Sequence, residues 1–226
     1  ALIFTVFQLL EPLYLSPRNL SNLALQTGTL AIMTIGISLV LILGHIDLSV
    51  GAISGLSGTI MAICSTVAGW PASSAIAMGL AVGLLIGGLQ GAWIAFFGAP
   101  SFIVTLAGYL VFSGLQLLLL SAHNGQIRIT DEEITSISGG YLTTGAGLGL
   151  AVLFSLVAVA WLLVRTLGHL RRGGKMSDKI REILGVLGFV IFAFALVLMM
   201  NQSFGFPLLL VVLLSTAAVF ALFTSR

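Results

Sequence analysis

The stretch from Ala72 to Phe97, "ASSAIAMGLAVGLLIGGLQGAWIAFF", carries no charged side chain. A hydrocarbon core about 30 Å thick is crossed by about 20 mostly apolar helical residues. Runs of that kind recur along the chain and fix its class before any other feature is read. Hydrophobic residues make up 58% of the sequence and charged residues only 7%, against roughly a quarter charged in a soluble domain. A transmembrane β-barrel would alternate polarity over about 10 residues at a time, and these runs are continuous. The chain reads as an all-α, polytopic transmembrane helical bundle.

The expected spans are Leu23–Leu43, Ala52–Ala68, Ala72–Phe97, Ser101–Leu120, Leu148–Val164, Glu182–Met200 and Phe206–Phe223. That is about seven crossings, preceded by "ALIFTVFQLL", which is too short to cross and reads as the end of a helix. One transmembrane domain over 1–226 is expected, with a polar outer loop at 121–147 and a basic loop at 165–182. "GWP" (Gly69–Pro71) and "GAP" (Gly98–Pro100) are tight breaks. The loop "RTLGHLRRGGKMSDKIRE" is rich in Lys and Arg, which places it in the cytoplasm. "SAHNGQIRITDEEITSISGG", with Asp131, Glu132 and Glu133, then lies outside. Counting spans puts "GAP" and the segment around His45 inside, and "GWP" outside. The net charge of +2 is dominated by one loop and points to no nucleic-acid partner. The lone Cys64 can form no internal disulfide and reads as packing.

Two features go beyond hydropathy. Ala75, Gly79, Gly83, Gly87, Gly91 and Ala95 recur every four residues, drawing one small-residue stripe along a helix. Lipid gives no hydrophobic push between helices, so close backbone approach matters. The stripe is expected to pack on a partner helix over its whole length, with Gln90 as a polar group on a neighbouring face. Gly51 and Gly55 extend the same pattern to the preceding helix.

The second feature is "GHIDLSVGAISG" (Gly44–Gly55), which holds an acid and an imidazole between apolar runs. Ionisable residues at membrane depth are costly and face the bundle interior or water. The segment is expected to be a broken-helix region over 44–51. The first helix should end near Leu43, the next should start near Leu48, and Asp47 should cap the N–H groups of Ser49 or Val50. No second intramembrane acid or base completes a proton relay with His45. In the outer loop, Thr130 and Glu133 form a capping-box pattern. That pattern predicts a short helix from about Asp131, with Ile134 and Ile137 turned to the membrane domain.

"HIDLSVGAISGLSG" resembles the G-x-IDLSVG signature of monosaccharide ABC importer permeases, the ribose/xylose/galactose class. "YLSPRNLSNLALQT" before it and "APSFIVTLAGYLVFSGL" after it match further strings of that class in order. The long basic segment Arg165–Glu182 looks most like the xylose permease branch. His45 stands where many members have Gly or an acid.

The resemblance implies a multi-pass subunit of the bacterial cytoplasmic (inner) membrane that translocates a monosaccharide, a xylose-like pentose favoured. Its partners would be an ABC ATPase inside, a sugar-binding protein outside, a second permease copy and membrane lipid. Such permeases continue into further helices and an ATPase-docking segment, so the chain looks like the N-terminal part of one. No P-loop is present; ATP hydrolysis is expected in the partner, with no cofactor, metal or catalytic residue in this chain. Asp47, Ser49, Gln90 and Thr105 are the candidates for the helix break or the substrate path. Gly79, Gly83, Gly87 and Gly91 are the candidates for helix packing. The alternative reading is an ion-coupled secondary transporter or channel for a small solute.

Overall fold

The computed structural model describes residues 2–150, 152–153, 155–156, 187–188, 190–191, 194–195, 197–202 and 205–224. The basic loop at 165–182, on which the inside assignment rests, lies outside the described residues. The chain folds as two compact units, one of residues 1–27 and 140–211, the other of 28–139 and 212–226.

In the first unit, helix α1 (Leu2–Leu10) precedes a turn that leads into α2 (Pro17–Ile42). The Gln8 side chain braces that turn, donating to the Pro12 carbonyl at 3.0 Å and accepting from the Leu15 N–H at 2.9 Å. Helix α2 starts six residues before the apolar run suggests. Pro17 occupies the first helical position, where its missing N–H costs nothing, and the Ser16 carbonyl already accepts from Leu20. Polar "PRNLSN" is therefore helical, not a loop. Further along, β1 (Tyr141–Leu142) pairs antiparallel with β2 (Phe206–Pro207) beside a small core of Val197, Met200 and Phe206. The described residues of the expected spans at 148–164 and 182–200 are helical. The rest of those two spans lies outside the described residues.

The second unit holds most of the long helices: α3 (Val50–Ala62), extended by a π-helical turn (Ile63–Val67), α4 (Ala72–Phe97) and α5 (Ser101–Ser121), then the short α6 (Glu132–Gly139). Among the described residues, four helical segments are long and apolar enough to cross a membrane: Pro17–Ile42, Val50–Val67, Ala72–Phe97 and Ser101–Ser121. Helix α7 (Leu208–Thr224) is shorter. Its expected first residues, Phe206 and Pro207, belong to β2. Helix α3 packs against both α4 and α5, burying Ala52, Leu56, Thr59 and Ala62 on one face. The outer faces of α4 and α5 expose Leu84, Leu89, Phe96 and Leu117, the pattern of side chains that meet lipid.

The breaks between helices are built by glycine. Gly44 sits at φ +80°. Its N–H donates to the Leu41 carbonyl and the His45 N–H to the Val40 carbonyl, the paired bonds of a Schellman ending. Gly98, at φ +63°, ends α4 in the same left-handed conformation. Helix α6 starts as expected, but its cap is Asp131 rather than a Thr130–Glu133 box. The Asp131 Oδ1 accepts from the N–H groups of Glu133 at 2.9 Å and Ile134 at 3.4 Å. Ile134 is buried against Ala72 and Ala75. Ile137, one turn further along α6, is 42% exposed and lies outside the cluster that Ile134 joins, so only one of the two packs on the membrane helices.

A candidate solute site at the helix break

Between the end of α2 at Ile42 and the start of α3 at Val50 the chain leaves the helix. At membrane depth such a break frees N–H and C=O groups that lipid cannot satisfy. Three of these groups, the N–H of Ser49 and both the N–H and the carbonyl of Ile46, are met by side chains. Asp47 Oδ1 accepts from the Ser49 N–H at 2.8 Å and from the Ser49 hydroxyl at 2.7 Å. The acid thus holds the residue that opens α3, where the helix dipole favours negative charge. Helix α3 begins at Val50, two residues later than expected, because the Asp47–Ser49 turn occupies those positions.

Helix α5 supplies the other partners. The Ile46 N–H donates to Ser101 Oγ at 3.2 Å. The Thr105 hydroxyl lies 3.2 Å from the Ile46 carbonyl and 2.8 Å from the Ser101 carbonyl. Ser101 and Thr105, one turn apart on the first turns of α5, thereby clasp both backbone groups of one residue in the break. Thr105 is 2% exposed and Ser49 is fully buried.

Helix α4 adds Gln90. Its Oε1 lies 3.0 Å from Ser49 Oγ, and its Nε2 is buried with no hydrogen-bond partner. The Ser49 hydroxyl has one proton and Asp47 takes it, so an oxygen facing Ser49 from Gln90 gains nothing. Turning the amide over gives Ser49 a donor: Nε2 donates to Ser49 Oγ, Ser49 donates to Asp47, and Oε1 takes the buried place without a partner. The side chain fits only because its neighbour on α5 is Gly108, where a Cβ would collide with the amide. A second glutamine repeats the device. Gln116 of α5 fills the space beside Gly55 of α3, where a Cβ would lie 2.5 Å from its Oε1.

The glycine stripe divides in two. A Cβ on Gly79 would lie 3.1 Å from the Met61 Cβ and 3.3 Å from the Ser57 carbonyl oxygen, and one on Gly83 3.5 Å from Ser57 Oγ. That half lies against α3. Gly87 and Gly91 have nothing within 4 Å, so contact along the whole stripe is corrected. Gly51 likewise has open space. Instead, Gly87 and Gly91 form a wall of a cavity of about 350 Å³, lined also by Asp47, Gln90, Ser101 and Thr105. Ligand pockets run from about 300 to 1,000 Å³. Three of the four path candidates from the sequence therefore meet at one cavity, and Ser49 braces it from behind. Ser101 was not among them; its role depends on Ile46, which is 55 positions away in sequence. Among the described residues no group of His, Cys, Asp and Glu could hold a metal ion.

Residues 19–169 match the family described as branched-chain amino acid transport system / permease component. The chain belongs to this permease family. It is 41% identical over 149 residues to the xylose transport system permease protein XylH of Escherichia coli, which covers 66% of the chain and 37% of that relative. It is 34% identical over 214 residues to XylH of Haemophilus influenzae, covering 94% of the chain and 56% of the relative. The ribose import permease protein RbsC of Haemophilus influenzae is 26% identical over 166 residues, 73% of the chain and 51% of the relative. The chain thus spans between about a third and somewhat over half of these permeases' length. No solved structure gives a significant match. Membership of the permease family, with four helices able to cross a membrane, makes this a multi-pass protein of the inner membrane.

Proposed function

We propose that the chain is part of the membrane-spanning subunit of an ABC importer that carries a monosaccharide, a xylose-like pentose, into the cell. The observation that carries this reading is the likeness to XylH, which extends over 94% of the chain in the Haemophilus influenzae relative. The family description names branched-chain amino acids, but the individual relatives quoted above are named for sugars. The polar groups fit a sugar. Asp47, Gln90, Ser101 and Thr105 are hydrogen-bonding groups on one cavity, and no described cation pairs with Asp47 to hold an amino acid's carboxylate.

In this reading a separate ATPase on the cytoplasmic side supplies the energy, a binding protein outside delivers the sugar, and a second copy of the permease completes the path. ATP binding and hydrolysis in the partner bias two packings of the helices. Asp47, Ser49, Gln90 and Thr105 line or brace the route, and the chain itself makes and breaks no covalent bond.

The test is uptake of labelled xylose by cells whose own xylose permease is deleted and replaced by the full-length gene. Uptake that needs the partner ATPase's hydrolytic residues and survives a proton uncoupler is expected. Uptake that persists without the ATPase and collapses with the uncoupler would replace the importer with an ion-coupled transporter.

A further inference from the structure

The hydrogen bonds at the helix break leave an uneven remainder. Asp47 uses Oδ1 twice, for the Ser49 N–H and hydroxyl, and no hydrogen bond among the described residues uses its Oδ2. No described cation pairs with it. Ser101 Oγ accepts from the Ile46 N–H, but its own proton has no acceptor among the described residues. The cavity therefore presents one charged acceptor and one hydroxyl donor that the fold does not consume. Both belong to residues that line it, opposite the bare backbone of Gly87 and Gly91.

We propose that this cavity is a binding site for one neutral polyol, in which Asp47 Oδ2 accepts from one hydroxyl and Ser101 Oγ donates to another. This rests on the sugar-importer reading and makes it specific. A sugar hydroxyl both donates and accepts, so adjacent hydroxyls satisfy the two groups at once. The bond to the carboxylate is charge-assisted and is the stronger one. Glycine at 87 and 91 lets the apolar C–H face of the ring approach the α4 backbone, where any side chain would occupy the ring's place.

The charge decides the class of ligand. A carboxylate without a counter-cation, close to low-dielectric lipid, repels a second anion strongly. A sugar acid or sugar phosphate of the same shape is therefore excluded. A compact cation satisfies Asp47 but leaves the Ser101 donor facing positive charge, so an amine is a poorer ligand than a polyol.

The experiment is equilibrium binding of labelled xylose to the purified full-length permease in nanodiscs, without the binding protein. Saturable binding is expected, displaced by xylitol and not by xylonate or a simple alkylamine. Ser101→Ala should weaken it about tenfold, equivalent to about 1.4 kcal/mol, and Ser101→Thr, which keeps the hydroxyl, should restore it. Asp47→Asn should weaken xylose and admit xylonate. Equal displacement by xylonate, better displacement by the amine, or binding indifferent to Ser101→Ala would each overturn the proposal. Absence of saturable binding by a permease that still supports ATP-driven uptake would overturn it and leave the importer reading standing. ATPase-independent uptake would remove the importer reading, whatever the binding result.

Discussion

Asp47 is one acid with two tasks, and its two oxygens separate them. Oδ1 holds the start of α3 through Ser49, and Oδ2 is the oxygen assigned above to the ligand. Asp47→Asn keeps an oxygen for the Ser49 N–H, so the folded protein should lose less than about 1 kcal/mol, since Asn and Asp cap almost equally well. Asp47→Leu removes the acceptor and should cost about 0.5–2 kcal/mol, together with lower abundance in the membrane. Thermal unfolding of the purified full-length permease, with immunoblots of membrane fractions, checks both. Wild-type melting of Asp47→Leu would show that Asp47 caps nothing. The bond from the Ser49 N–H to Asp47 was legible in the sequence because it is local: an acid three residues before the first residue of α3, after a glycine. The Ser101 and Thr105 contacts with Ile46 were not legible, since only the fold brings α5 beside the break. Thr105 is among the candidates named from the sequence, whereas Ser101, in the same matching string, reads there only as the first residue of the span that ends at Leu120.

Helix α4 carries a single sequence pattern with two physical outcomes. Its first half lies against α3 at backbone distance, and its second half borders open space. Spacing alone shows where backbones are able to approach, not where another helix is present to do so. The division predicts opposite behaviour for one substitution at two positions. Gly79→Leu must displace the Met61 Cβ and the backbone of Ser57, 3.1 and 3.3 Å from its own Cβ. Overpacking of this kind costs about 1–3 kcal/mol, read as a lowered melting temperature and reduced membrane abundance. At Gly91 an added Cβ meets nothing within 4 Å, and Gly91→Leu improves helix propensity by replacing glycine. Its melting temperature should be unchanged or higher, while uptake is lost because the side chain fills the cavity. Wild-type uptake by Gly91→Leu would take the cavity off the transport path. Element ends show the same limit of sequence reading. Hydropathy placed α4 and α5 almost to the residue. It missed the polar opening turns of α2, where Ser16 and Pro17 decide the start and apolarity does not. At α6 the capping pattern marked the right place but the wrong residue, because Thr130 and Asp131 are adjacent and the carboxylate is the one that reaches two N–H groups.

At the scale of the molecule, the second unit sorts its connections into two ends. The break after α2, the cavity and the Ser101 end of α5 share one end, at the C-terminal half of α4. The π-helical turn's Cys64, the start of α4 and helix α6 share the other, where Ile134 meets Ala72 and Ala75. That is the alternation the loop charges require: "GAP" with the His45 segment, and "GWP" with the acidic loop. Which end is cytoplasmic follows from the excess of Lys and Arg between Arg165 and Arg181, not from the packing. The absolute sidedness therefore has its own test. In a full-length permease with Cys64→Ser, a cysteine at Ser136, exposed on α6, should react with a membrane-impermeant maleimide in intact cells. A cysteine at His45, exposed in the break, should react only after the cells are permeabilised. This outcome would put the cavity at the inner mouth of the path proposed above. The opposite labelling would put the same cavity at the outer mouth, where a binding protein would hand the sugar over. In that case the Lys/Arg bias would have misled, and Asp47 would be an entry group instead of an exit group.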